Sequence, residues 1–231
     1  MLRHALAAAL GKNRNSRNTL QPALARPLRF TQSICGGTHI VVDHSNIFQG
    51  GLEHQFRVDF EQVLKLLGGD TLVSATIVVS QSVLHRSSQQ NFYAWLQRVG
   101  WDVHSFMLLK NEFGERAENE FLVDGNVRAE IRAAARSPTV DAVVVMSGDG
   151  GMTNAVRDAR RAGKDVFVLA WDGTLNPALA AAATACITLE EMRPLIGRPS
   201  FTKFEGRTAA AFNSDLAADF PLVFAPIEGS S

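Results

Sequence analysis

Short unbroken runs of β-branched and aliphatic residues recur along this chain with helix-patterned stretches between them, and that alternation limits the fold more than any other feature. The runs cover residues 40–42, 75–79, 103–109, 142–146 and 166–169. Strands that are apolar at every position, not at every second one, are buried on both faces. Between them, residues 56–67, 89–99, 126–135 and 153–162 carry apolar side chains at spacings of three and four, and Gly68, Gly100 and Gly163 follow three of these stretches as helix stops. The predicted order is βαβαβαβαβ. Such an order gives an α/β domain in which a parallel sheet lies between helix layers, and ligands of such sheets gather at the carboxyl edge of the strands.

The 231 residues, 46% of them hydrophobic, are enough for one sizeable core, so one domain with tails is expected. No run of about 18 apolar residues occurs, so no membrane span is expected. The formal charge of zero averages two unlike pieces. The first 38 residues hold six basic residues (Arg3, Lys12, Arg14, Arg17, Arg26, Arg29) and no acid, leaving 17 basic against 23 acidic residues beyond them. An acid-free segment rich in Arg, Ala, Leu and Asn has the composition of an organellar transit peptide. Arg26-Pro-Leu-Arg-Phe-Thr31 also resembles a mitochondrial processing pattern, with cleavage near Cys35. Residues 1–37 are therefore expected to be a disordered transit peptide leading to the mitochondrial matrix. The alternatives are a plastid leader, or a basic tail that binds nucleic acid in the cytoplasm. After Arg198 the pattern fades into Gly, Ser, Pro and isolated Phe residues, so 38–197 is expected to be the domain and 198–231 a loosely packed or disordered arm. Cys35 and Cys186 are the only cysteines, without metal-ligand spacing, which argues against a disulfide framework.

At the carboxyl edge, the first strand runs into Asp43-His-Ser-Asn46 and the fourth into Ser147-Gly-Asp149, so two carboxylates and an amide converge. Asp124 arrives at the entry of a helix. Glu130, six residues on, lies roughly 600° around that helix and shares the side of Asp124 only obliquely. The histidines His44, His85 and His104 have no metal spacing. Asn154, Arg157, Arg161 and Lys164 form a polar stripe that is either a solvated face or a grip for phosphate, and His85-Arg86 after the second strand carries the same two readings. Phe92, Tyr93 and Trp95 cannot all face one way; most read as core, with one able to stack a base.

These residues resemble the NYN domain, a branch of the PIN-like nuclease superfamily. Asp43-His-Ser-Asn46 is similar to the family's opening Asp-x-x-Asn, Val123-Asp124 with Glu130 to its Val-Asp element, and Ser147-Gly-Asp149 to its Ser-Gly-Asp turn. Ala162-Gly-Lys-Asp-Val-Phe-Val168 resembles its Gly-Lys-x-Val strand, and Leu179 with Ile187-Thr-Leu189 its closing helix and short strand. The resemblance implies a three-layer α/β/α PIN-like Rossmannoid with a mostly parallel sheet, and RNA phosphodiester hydrolysis assisted by Mg²⁺ or Mn²⁺. It implies Asp43, Asp124 and Asp149 as catalytic residues and, with Glu130, as metal ligands. Hard divalent cations do choose carboxylate oxygens, and such an ion can activate water and stabilise charge on phosphate. Asn46, Ser147, Asn154, Arg157, His85 and Arg86 are the candidate substrate-binding residues. RNA is the expected partner, and the oligomeric state, including a homodimer, stays open.

The family's turn commonly runs Ser-Gly-Asp-x-Asp, whereas this chain has Gly151 at the second acidic place. Enzyme activity is therefore the leaning, and the alternative is a catalytically impaired RNA-binding relative. Asp149 and Asp124 read equally as helix caps. A third reading takes Gly148-Asp-Gly-Gly151 as a kinase-like, phosphate-binding turn, although a Gly-rich turn alone carries little weight.

Overall fold

The computed structural model describes residues 17–81, 86–107 and 119–198, with side chains at 24–80, 89–106 and 122–198. Along the chain come α1 (Arg17–Ser33), β1 (Thr38–Asp43), α2 (His44–Glu53), β2 (Arg57–Val58) and α3 (Phe60–Val63), which a π-turn over Leu64–Gly68 continues. Then follow β3 (Leu72–Gln81), α4 (Arg86–Val99), β4 (Asp102–Met107), α5 (Asn119–Arg136), β5 (Ala142–Met146) and α6 (Thr153–Arg161). The described part closes with β6 (Asp165–Ala170), α7 (Pro177–Ala182), β7 (Ala185–Thr188), α8 (Leu189–Ile196) and β8 (Gly197–Arg198).

Six strands form one sheet in the order β4-β3-β1-β5-β6-β7, with every neighbouring pair parallel. The chain winds outward from β1 to β3 and β4, then crosses to β5 on the other side of β1 and winds outward again. Winding reverses between β1 and β5, and connections leaving their carboxyl ends in opposite directions open a crevice there. Strand alternation divides the core in two. Ile40, Val42, Ile77, Val79, Val144, Met146, Phe167 and Leu169 pack with residues of α1, α2, α3, α4 and α8. Val41, Val78, Val143, Val145, Val166 and Val168 pack with Val123, Val127 and Ile131 of α5, and with residues of α6 and α7. The result is the expected three-layer α/β/α architecture.

Four expectations need correction. Residues 56–67 are not one helix. Arg57 and Val58 pair antiparallel with Arg198 and Gly197, and Asp59 then caps a new start by accepting from the N–H groups of Glu61 and Gln62. The apolar spacing was real, since Phe56, Phe60, Val63 and Leu67 are all buried, but long-range pairing takes the first turn. Second, α5 begins at Asn119 and not at 126, so Asp124 is a helix-interior residue and not a cap. Third, α2 follows β1 directly, a helix hidden by its length and by Gly50-Gly51. Fourth, the segment ahead of residue 38 is not wholly outside the fold. Leu24, Phe30, Thr31 and Ile34 are buried on one face of α1 and its end, and Phe30 meets Phe167 edge-on with ring centroids 5.6 Å apart. Arg26 pairs with Glu191 of α8. Residues 1–16 and the arm from 199 onward lie outside the described residues.

Candidate active site

Asp43 ends β1 and caps α2. Its Oδ1 accepts from the Asn46 N–H (3.2 Å) and its Oδ2 from the Ser147 hydroxyl (3.1 Å). Ser147, wholly buried after β5, accepts in turn from the Asp149 N–H (3.2 Å), so one hydroxyl joins both acidic residues. Asn46 Oδ1 accepts from the Gly148 N–H (3.1 Å), tying the start of α2 to the turn after β5. Asp149 caps that turn through Oδ1, which accepts from the Gly151 N–H at 2.9 Å. Capping and facing the cleft prove compatible for Asp149.

A cleft of about 340 Å³ opens at this crevice. Asp43, Asp124 and Asp149 line it, as do Asn46 and Ser45, with Gln49, Gly50 and Glu53 further along α2 and Ser80, Val123 and Thr174 opposite. Burial pushes the Asp43 carboxyl well above the usual range, to about 6; the bonds from Asn46 and Ser147 pull it down, while the charges of Asp124 and Asp149 push it up again. Asp43 therefore feels the charges of the other two aspartates across the cleft.

The fourth expected ligand is elsewhere. Glu130 accepts from the Thr76 hydroxyl (3.3 Å) and stands 3.6 Å from His104 Nδ1, below the strand ends, because six residues carry it about 9 Å down α5 from Asp124. It does not line the cleft. Ser147 builds the site from inside and is too buried to touch a substrate, and Asn46 spends its carbonyl on Gly148. Asn154 and Arg157 are exposed on α6, with Arg157 Nη1 3.5 Å from Asn154 Oδ1. Lys164, by contrast, donates to the carbonyls of Ser137 (2.8 Å) and Val140 (2.6 Å) and serves as a tether. His85 and the Arg86 side chain lie outside the described residues. His44 is enclosed by Phe48, Phe60 and Phe92, and desolvation pushes it down to about 4, so it stays neutral. Phe92 and Tyr93 are core, while the Trp95 face is covered by the Arg198 guanidinium at 5.1 Å.

The kinase-like reading of the glycine turn gains no support from the hydrogen bonds of Gly148, Asp149 and Gly151. The amides that would cradle phosphate already donate inside the protein, from Gly148 to Asn46, from Asp149 to Ser147 and from Gly151 to Asp149. The glycines serve close packing: a β-carbon at Gly148 would lie 2.7 Å from the Thr174 carbonyl oxygen, and one at Gly150 would lie 2.5 Å from Asn176 Nδ2.

Sequence reading missed Ser45, Gln49 and Glu53, whose spacing of four is the polar face of α2 once that stretch is known to be helical. It also missed Arg128. A β-carbon at Gly151 would lie 3.5 Å from Arg128 Nη1, so a cation stands beside the place where a second acid was sought.

A parallel α/β/α domain with three aspartates lining its switch point is consistent with a PIN-like fold. Residues 38–190 match the NYN domain family, and the chain belongs to that family, within the PIN-like nuclease superfamily. Family membership points to a nuclease-like function on RNA. PIN-like nuclease domains generally use divalent metals. The oxygen-rich donor set suits a hard cation, although no group of three or more His, Cys, Asp or Glu side chains among the described residues closes into a ready-made metal cage. A protein of unknown function from Vibrio parahaemolyticus shares the fold, with a TM-score of 0.54 and 20% identity over 68% of this chain and 94% of that one. No curated protein matches the chain. No helix among the described residues is long and apolar enough to cross a membrane.

Proposed function

We propose that the protein is a divalent-metal-dependent ribonuclease. The observation that carries this reading is the meeting of Asp43, Asp124 and Asp149 in one cleft, where burial first, and then the charges of the other two, raise the proton affinity of Asp43. Clustered carboxylates that repel one another are an unfavourable arrangement for stability alone and a favourable one for holding a hard cation such as Mg²⁺ or Mn²⁺. Asp43 and Asp149 would hold the ion, with Asp124 completing its protein ligands. A bound ion there supplies positive charge to the scissile phosphate and an acidified water. Ser147 and Asn46 tie the ends of β1 and β5 together, and Asn154 and Arg157, exposed on α6, offer donors to an RNA backbone.

The deciding experiment incubates full-length protein with labelled RNA, with Mn²⁺ or with chelator, alongside Asp43→Asn and Asp149→Asn. Cleavage that needs metal and disappears in both variants is expected. Metal-independent binding without cleavage would favour the second reading, an RNA-binding relative, for which the missing carboxylate at Gly151 speaks. The acid-free N-terminal composition supports import into mitochondria. Cleavage near Cys35 would remove Leu24, Phe30 and Ile34, which are buried in the full chain.

A further inference from the structure

We propose that Arg128 is a substrate-phosphate contact of this cleft, seated beside Asp149 where position 151 carries no side chain; this rests on the ribonuclease reading above. Gly151 is exposed and its backbone lies outside the left-handed region, so its conformation does not call for glycine. A β-carbon there would meet Asp149 Oδ2 at 3.0 Å and Arg128 Nη1 at 3.5 Å, and one at Gly125 would meet Arg128 Nη2 at 3.9 Å. The guanidinium and the Asp149 carboxylate therefore flank the same point, with a glycine leaving room on either side. Arg128 stands one turn after Asp124 on α5, at the border of a cleft whose described lining has four carboxylates and no Lys or Arg.

An RNA phosphate entering such a cleft meets repulsion from every acid that no cation offsets. A guanidinium is permanently charged, planar and able to give two parallel hydrogen bonds to phosphate oxygens. The surface beyond it continues the same chemistry. Arg132 lies one turn further along α5 and bonds Asp158 of α6 (3.1 Å), and Asn154 lies one turn before Asp158 on α6. The seam between α5 and α6 is thus a polar track with Arg128 at its acidic end, and a strand lying along it would deliver one phosphate to the aspartates.

The test measures binding of labelled single-stranded RNA to full-length protein in chelator between 50 and 200 mM salt, and Mn²⁺ affinity by calorimetry. Arg128→Ala is expected to lose at least fivefold in RNA affinity and to flatten the salt dependence by somewhat under one ion, while Mn²⁺ affinity holds or tightens. Arg128→Lys should keep the salt dependence and recover only part of the affinity. Arg128→Gln, which keeps length and donors without charge, repeats the test if the alanine variant fails to fold. RNA affinity and salt dependence equal to wild type, with only a lower melting temperature, would make Arg128 a structural brace and overturn the inference. If wild type cleaves RNA and the variants match it, this inference alone falls; if wild type neither binds nor cleaves RNA, the ribonuclease reading falls with it.

Discussion

Asp43 carries the strongest physical contradiction in the molecule: a carboxylate 4% exposed, held by two hydrogen bonds and pressed by two other acids. Its folded pKa of about 6 lies above the ordinary 3.8, so its contribution to stability is present at acid pH and is lost as pH rises through about 6. A shift of that size corresponds to about 3 kcal/mol at neutral pH. Asp43→Asn should therefore raise the melting temperature of the metal-free protein at pH 7.5 and leave it nearly unchanged at pH 3.5. Thermal unfolding at the two values in chelator checks this, and equal effects at both would remove charge as the cause. At Gly151, an introduced aspartate would stand between Asp149 and Arg128. Gly151→Asp is expected to pair with Arg128, to change Mn²⁺ affinity less than threefold and to weaken RNA binding. Adding Arg128→Ala should then let the new acid tighten Mn²⁺ binding, which calorimetry on the single and double variants would show.

Element by element, α2 does most to shape the site, because its first residue follows Asp43 and its polar face lines the cleft. Its position depends on Gly50, where a β-carbon would lie 2.0 Å from Trp171 Cδ1, and on the Trp171 indole N–H donating to the Ile47 carbonyl at 3.1 Å. Gly→Ala in a helix ordinarily stabilises by roughly 0.5–1 kcal/mol. Here overpacking against a buried indole should reverse the sign and cost about 1–3 kcal/mol, with RNA cleavage falling as α2 shifts; denaturant unfolding gives the direction. The first helix makes a separate prediction. Removing residues 1–35 strips Leu24, Phe30 and Ile34 from the core and should leave the protein aggregated or several degrees less stable. Sequencing the N-terminus of the mature cellular protein locates any processing site on the same scale.

Across the whole molecule, acid stability should be governed by buried histidines outside the cleft. His39 lies on β1 at 4% exposure; its Nδ1 is 2.7 Å from the Ser74 hydroxyl, and its Nε2 has no hydrogen-bond partner among the described residues. Burial pushes it down to about 4, below the ordinary 6.5, so its contribution to stability is present above 6.5 and is lost as pH falls toward 4. That loss is on the order of 3 kcal/mol. His39→Gln should flatten the stability curve between pH 6.5 and 4 in denaturant titrations, and a slope equal to wild type would move the cause to another group.

The three-layer fold was legible from the chain alone because unbroken runs such as residues 142–146 admit few structures other than strands buried on both faces. Asp43 and Asp149 were legible for a related reason: each sits at the end of such a run, and parallel strands place those ends on one edge. The three aspartates could be named, but not the membership of the site. Glu130 looked like a neighbour of Asp124 by spacing, yet the starting point and direction of α5 carry it to Thr76 and His104. Arg128 was invisible because nothing local marks a residue that meets position 151 only when α5 packs beside the turn after β5. The N-terminal segment shows the same division: its basic composition is a local property, while the burial of Phe30 against Phe167 is a contact across more than half the chain. Periodicity and strand ends are written in neighbouring residues, so the sequence by itself determined layers and edge. Which side chains share a cleft depends on helix register and long-range packing, and only the tertiary structure decided that.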